Sequence, residues 1–237
     1  MPTLVLLRHG QSQWNLENRF TGWVDVDLTA EGEAQARKGG ELIAKAGLYI
    51  DQAFTSVQTR AIRTCNLALD AAKQSFVPVT KDWRLNERHY GGLTGLNKAE
   101  TAEKHGVEQV TIWRRSYDIP PPELAPGGEY DFAKDRRYKG ASLPSTESLA
   151  TTLVRVLPYW ESDIAPHLKA GETVLVAAHG NSLRAIVKHL FQVPDDKIVG
   201  VEIPTGNPLV IELDAQLKPT GARYLDESRA EALPQVG

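Results

Sequence analysis

A single cysteine, Cys65, occurs among 237 residues, so no internal disulfide can form. That suits a reducing compartment, where thiols stay free. No apolar run approaches the roughly 20 residues needed to cross a bilayer. Met1-Pro2-Thr3 enters an apolar stretch with no basic leader and no cleavage site before it. Neither sign of charge dominates, with 27 Lys plus Arg against 30 Asp plus Glu. There is thus no electrostatic case for nucleic acid or an anionic membrane. The expectation is a soluble, cytoplasmic protein whose partners are small molecules, and any anionic ligand must be met by a local cluster of arginines. A chain of this length could be one large α/β domain or two small ones.

What is present is organised around Leu4-Val5-Leu6-Leu7-Arg8-His9-Gly10-Gln11-Ser12-Gln13-Trp14-Asn15. Four unbroken apolar residues read as a buried strand of a parallel sheet. In open α/β sheets, ligands bind beyond the carboxyl ends of the strands, where this strand places an arginine and a histidine. The pattern returns late in the chain. Val174-Leu175-Val176-Ala177-Ala178 leads into His179-Gly180-Asn181-Ser182 and a helical run from Leu183 to Phe191. Two strand ends that each carry His-Gly before a Ser-containing turn make a coherent site.

Between these lie further elements. Thr29 is an N-cap candidate for a helix continuing to about Ala46, with Gly47 at its end. Residues 53–56 read as a short strand, followed by a helix from about Gln58 to Lys73 in which Cys65 is a small core residue. Val77-Pro78-Val79-Thr80 reads as an edge strand. Residues 85–95 are charged, aromatic and glycine-rich, as suits a loop that presents side chains to a pocket, and residues 97–105 form a polar helix. From about 113 to 146 the α/β rhythm breaks, and this stretch reads as a long insertion over the site. A helix opens at Thr146 and runs to about Ile164. Residues 198–203 and 208–213 read as the last two strands, and the chain beyond Tyr224, especially 226–237, as a flexible tail with little to pack.

Histidines with arginines nearby suggest a phosphoryl group, because a guanidinium matches phosphate through paired hydrogen bonds and imidazole can carry a phosphoryl group covalently. A metal centre is the weaker alternative: Arg8 adjoins His9, and no Asp or Glu stands at ligand spacing from either histidine.

The segment Leu6-Leu7-Arg8-His9-Gly10-Gln11-Ser12 resembles the signature of the histidine phosphatase, phosphoglycerate mutase-like superfamily. Asn15, residues 19–23, Ser56 to Arg60, residues 87–98, Trp113 to Ser116 and residues 178–184 extend the likeness to the 2,3-bisphosphoglycerate-dependent phosphoglycerate mutases, over nearly the whole chain to about residue 225. Residues 87–98 and 113–116 are the specific part; the Arg-His-Gly signature is shared by many phosphatases. Many relatives have glutamate where this chain has Gln11.

The resemblance implies a single α/β domain over 1–237. Its fold would be a three-layer sandwich: a mostly parallel central sheet, helices on both faces, and the insertion above the site. It implies interconversion of 3-phosphoglycerate and 2-phosphoglycerate through phosphorylated His9, primed by 2,3-bisphosphoglycerate, with no metal and in a homo-oligomer, dimer or tetramer. Arg8, Arg60 and His179 would hold the transferring phosphoryl group, Asn15 and the Gly180 amide would add hydrogen bonds, and Glu87 would serve as general acid and base. Thr21, Gly22, Tyr90, Lys98, Arg114, Arg115 and Asn181 would bind the rest of the glycerate. Gly10, Gln11, Ser12, Arg88 and His89 complete the substrate-side candidates, although spacing alone gives His89 no supporting constellation, nor His105, His167 or His189. The rival readings are a phosphatase on the same fold, with water as acceptor, and a catalytically inert module that binds a phosphorylated partner.

Overall fold

The computed structural model describes residues 1–234. Six strands form one sheet: β1 (Thr3–Arg8), β2 (Gln52–Thr55), β3 (Val79–Lys81), β4 (Thr173–Ala178), β5 (Leu209–Leu213) and β6 (Pro219–Tyr224). The spatial order is β3-β2-β4-β1-β5-β6. The first four run parallel, while β5 and β6 join antiparallel at the β1 edge.

The apolar runs in β1 and β4 exist because both faces of the sheet are covered. Leu4, Leu6, Val174 and Val176 face one helical layer, made by α6 (Leu149–Tyr159), α7 (Ala165–Lys169) and α8 (Gly180–Phe191). Val5, Leu7, Leu175 and Ala177 face the other, made by α2 (Ala30–Lys45) and α3 (Thr59–Ala71). Thr29 caps α2 by accepting the Gly32 N–H at 3.1 Å. Within α2, Gly40 lies so close to α3 that a Cβ there would collide with the Ala68 carbonyl. Cys65 is buried in that layer, and burial pushes its thiol up to about 12, so it is packing rather than chemistry.

Three sequence expectations are corrected. Residues 198–203 are not a strand: Ile198–Gly200 is a single 3₁₀ turn and the chain then runs irregularly. The carbonyls that a ladder would use are taken by guanidinium groups, Ile198 O by Arg184 at 2.6 Å and Ile203 O by Arg8 at 2.9 Å. The sixth strand is β6 instead, whose proline and glycine hid it and which an edge position tolerates. The irregular insertion begins later than expected, because residues 107–115 form a helix, α5 (Val107–Arg115), directly after α4 (Lys98–His105).

The tail also differs from its expectation over the part described. Buried Asn207 donates to the carbonyls of Asp226 and Arg229 at 2.9 and 3.2 Å, and Arg229 donates to Thr205 O at 2.6 Å. Leu233 packs against the larger core. Residues 235–237 of that expected tail lie outside the described residues.

Candidate active site

Register places the two histidines side by side. Arg8 of β1 stands opposite Ala178 of β4 in the parallel ladder, so His9 and His179 each lie one residue past a strand end. The His9 N–H still donates to Ala178 O at 2.9 Å, and the two imidazole centroids are 5.0 Å apart. One strand further out, Ser56 follows β2 and its Oγ is 2.8 Å from His179 Nε2.

Both rings are buried, and both are held neutral well below the usual histidine range. For His9, burial is the main cause, followed by the neighbouring Arg60 and Arg8. For His179 it is burial, then Arg60 and His9. His9 Nδ1 lies 2.7 Å from the Gly10 carbonyl. A carbonyl only accepts, so Nδ1 carries the proton and Nε2 keeps its lone pair. A neutral imidazole with a free Nε2 beside arginines is competent to accept a phosphoryl group. Gly10 acts through this bond and through its smallness: a Cβ there would strike the Gly32 carbonyl in the first turn of α2.

Arg60, on the first turn of α3, is aimed by the Val24 and Gly22 carbonyls at 2.9 and 2.8 Å. Burial lowers it to about 10, so it stays cationic at neutral pH. Gln58 ties this corner to the next loop, donating to Gly22 O and accepting the Glu87 N–H, each at 2.9 Å. Glu87 Oε1 receives three donors: Arg88 N at 2.7 Å, Asn181 N at 3.2 Å and Asn181 Nδ2 at 2.8 Å. Its Oε2 makes no hydrogen bond among the described residues. The Glu87 carbonyl is pinned by Trp23 Nε1 at 2.7 Å and Arg155 at 2.9 Å.

One pocket gathers most of the expected residues. Arg8, His9, Asn15, Thr21, Gly22 and Arg60 line its strand-end side. Glu87, Tyr90, Lys98, Arg114, Arg115, Gly180 and Asn181 line the rest. The expected residues outside the lining are Gly10, Gln11, Ser12, Arg88, His89 and His179. His179 sits directly behind His9. Ser12 caps the short helix α1 (Gln13–Leu16) by accepting Asn15 N at 3.2 Å, and Gln11 Oε1 accepts from Thr29 Oγ1 at 2.9 Å. Arg88 is a bolt: it donates to the Trp113 and Arg114 carbonyls, both at 3.1 Å, and so holds the end of α5. His89 accepts the Gly91 N–H on Nδ1 at 3.0 Å and packs against Trp23 and Phe132. Burial lowers it to about 4. It belongs to an aromatic box, not to the substrate side.

Four lining residues escaped the sequence: Arg19, Phe20, Arg184 and Glu202. Arg19 was visible within its motif, while Glu202 carried no local signal. Glu202 enters because β5 starts beside the end of β1, and it pairs with Arg115 at the pocket rim. Beyond α5, residues 116–146 of the expected insertion do not line the pocket. They pack on the loops that do, with Pro122 O accepting Gly92 N at 2.7 Å and Arg137 paired to Asp25 at 2.6 Å.

Neutral imidazoles at two strand ends, buried arginines around them and a carboxylate opposite define a phosphoryl-handling site. The profile of the histidine phosphatase superfamily, branch 1, matches residues 4–220, and the chain belongs to that family. It is 94% identical, over all of both chains, to the 2,3-bisphosphoglycerate-dependent phosphoglycerate mutase of Caulobacter vibrioides. It is 64% identical, again over all of both chains, to the protein of the same name in Hyphomonas neptunium. A solved complex of a mycobacterial glucosyl-3-phosphoglycerate phosphatase with VO3 shares the fold, with a TM-score of 0.71 at 22% identity, covering 94% of this chain and 97% of the other. No described helix is long and apolar enough to cross a membrane.

Proposed function

We propose that the chain interconverts 3-phosphoglycerate and 2-phosphoglycerate as a 2,3-bisphosphoglycerate-dependent phosphoglycerate mutase. The observation that carries this reading is one pocket holding both His9 with Glu87 and a second cationic group, Lys98, Arg114 and Arg115, where a glycerate carboxylate could be met. Near-identity over the full length to proteins of that name supports it. Seven cationic side chains and two carboxylates line the pocket. That excess suits a ligand with two phosphates of about −1.5 to −2 each and a carboxylate.

In this mechanism His9 Nε2 is first primed, forming an N–P bond as the P–O bond of the bisphosphate donor breaks and protonated Glu87 gives its proton to the departing alkoxide. Phospho-His9 then passes its phosphoryl group to the free hydroxyl of a bound monophosphoglycerate. The O–P bond forms, the N–P bond breaks, and Glu87 Oε2 takes the hydroxyl proton. After the bisphosphorylated intermediate turns over, His9 accepts the other phosphoryl group and Glu87 returns its proton to the departing alkoxide. Arg8, Arg60 and His179 stabilise the charge on the transferring oxygens. Asn15 and the Gly180 amide add hydrogen bonds, and Tyr90 and the cations of α4 and α5 hold the glycerate. No step calls on a metal, and we propose a homo-oligomer as the working form.

The test is a coupled mutase assay with and without 2,3-bisphosphoglycerate in the presence of a chelator, alongside labelling by radioactive bisphosphoglycerate. Expected are bisphosphoglycerate-dependent turnover insensitive to chelator, an acid-labile label on the protein, and loss of both in His9→Ala. Substantial turnover in His9→Ala would exclude phospho-His9 as the intermediate. A labelled enzyme that only hydrolyses phosphoglycerates would favour the phosphatase, and a protein that binds them without taking up label would favour the inert module.

A further inference from the structure

Arg184 projects from the second turn of α8 into the site, 5% exposed, and none of the ion pairs among the described residues includes it. A buried guanidinium is costly unless its donors are used. Two of them are: one arm donates to Ile198 O at 2.6 Å and the other to Asn181 Oδ1 at 2.9 Å. The second bond has a directional consequence. A guanidinium only donates, so the Asn181 oxygen must face Arg184 and the amide nitrogen must face away. That nitrogen lies 2.8 Å from Glu87 Oε1. Without Arg184, the side chain of Asn181 could turn over and offer Glu87 an oxygen, which would repel the carboxylate.

We propose that Arg184 is a positioning residue for the Glu87 carboxylate, acting through the Asn181 amide. The chain Ile198 O–Arg184–Asn181–Glu87 fixes which oxygen of Glu87 is saturated and leaves Oε2 as the proton-transferring atom. This rests on the role of Glu87 proposed above.

The experiment is a double-mutant cycle of Arg184→Met and Asn181→Ala, repeated in a Glu87→Gln background. Each single variant is expected to lower kcat about 10-fold with KM changed less than about 3-fold, and the double variant to be no slower than the worse single. In the Glu87→Gln background, Arg184→Met should have no further effect on kcat. Arg184→Lys keeps the charge without the two-armed fork and should resemble Arg184→Met in kcat while melting within a few degrees of the parent. Effects that multiply across the cycle would overturn the inference, as would a raised KM at constant kcat. Full turnover in Glu87→Gln alone would instead overturn the role of Glu87 itself.

Discussion

Among the described residues three donors converge on Glu87 Oε1 and none on Oε2. That asymmetry makes Glu87→Gln an informative substitution. The amide oxygen can keep all three donors while the amide nitrogen takes the free position, so the loop should hold its shape and substrate should still bind. What is lost is proton transfer, which costs about 10²-fold or more. Steady-state kinetics with a binding assay and a thermal melt would check this, and a variant that unfolds would make Glu87 a structural residue. The role proposed for Glu87 comes from the resemblance, as does the expectation for its partner Asn181. Arg184, three residues further on, was not, because nothing local distinguishes a site arginine from a surface one on an amphipathic helix. Its burial depends on residues 198–203 passing beneath it.

At the scale of elements, α6 clamps the loop that carries Glu87. Arg155 pairs with Glu147 at 2.6 Å and donates to the carbonyls of Arg84, Asn86 and Glu87. Both side chains are buried, so removing one partner leaves an uncompensated charge. Arg155→Met should therefore cost about 3–5 kcal/mol in denaturant unfolding, with kcat reduced as the loop loosens. Adding Glu147→Gln should recover part of the stability, and equal stability of the single and double variants would sink the argument. Elements were legible where both faces of a strand are buried, as in β1 and β4, or where a cap starts a helix, as at Thr29. The edge strand β6 and the irregular run 198–203 were not, because an edge tolerates proline and glycine and because side chains can take carbonyls that a ladder would otherwise use.

For the whole molecule, burial makes acid the vulnerable direction. His9, His89 and His179 are all held neutral below their unfolded value, His89 to about 4. As pH falls below about 6.5, the unfolded chain binds protons that the folded one excludes, so stability is present above that value and is lost on the way down. His89 alone accounts for about 3 kcal/mol by pH 4. His89→Gln should flatten the dependence of the unfolding free energy on pH between 6.5 and 4, and an unchanged slope would show that His89 is already charged in the folded protein. Activity should not share this sensitivity at first, because His9, the proposed nucleophile, stays neutral below pH 6.5.

The sequence by itself determined the sheet that carries the site, since a four-residue apolar run cannot be solvated, and it determined that Arg-His-Gly and His-Gly-Asn turns end two such runs. It also marked the charged, glycine-rich loop at 85–95 and the cations of α4 and α5. Only the tertiary structure decided that the two histidines are neighbours, because that follows from the Arg8–Ala178 register rather than from anything within either strand. It also separated the residues that face the pocket from those that hold the pocket together. Arg88 and His89 stand in the same motif as Glu87 and Tyr90, but the loop aims the outer pair at the pocket and the middle pair away from it. One side of this loop meets the substrate cavity, while the other meets Trp23, Phe132 and the end of α5.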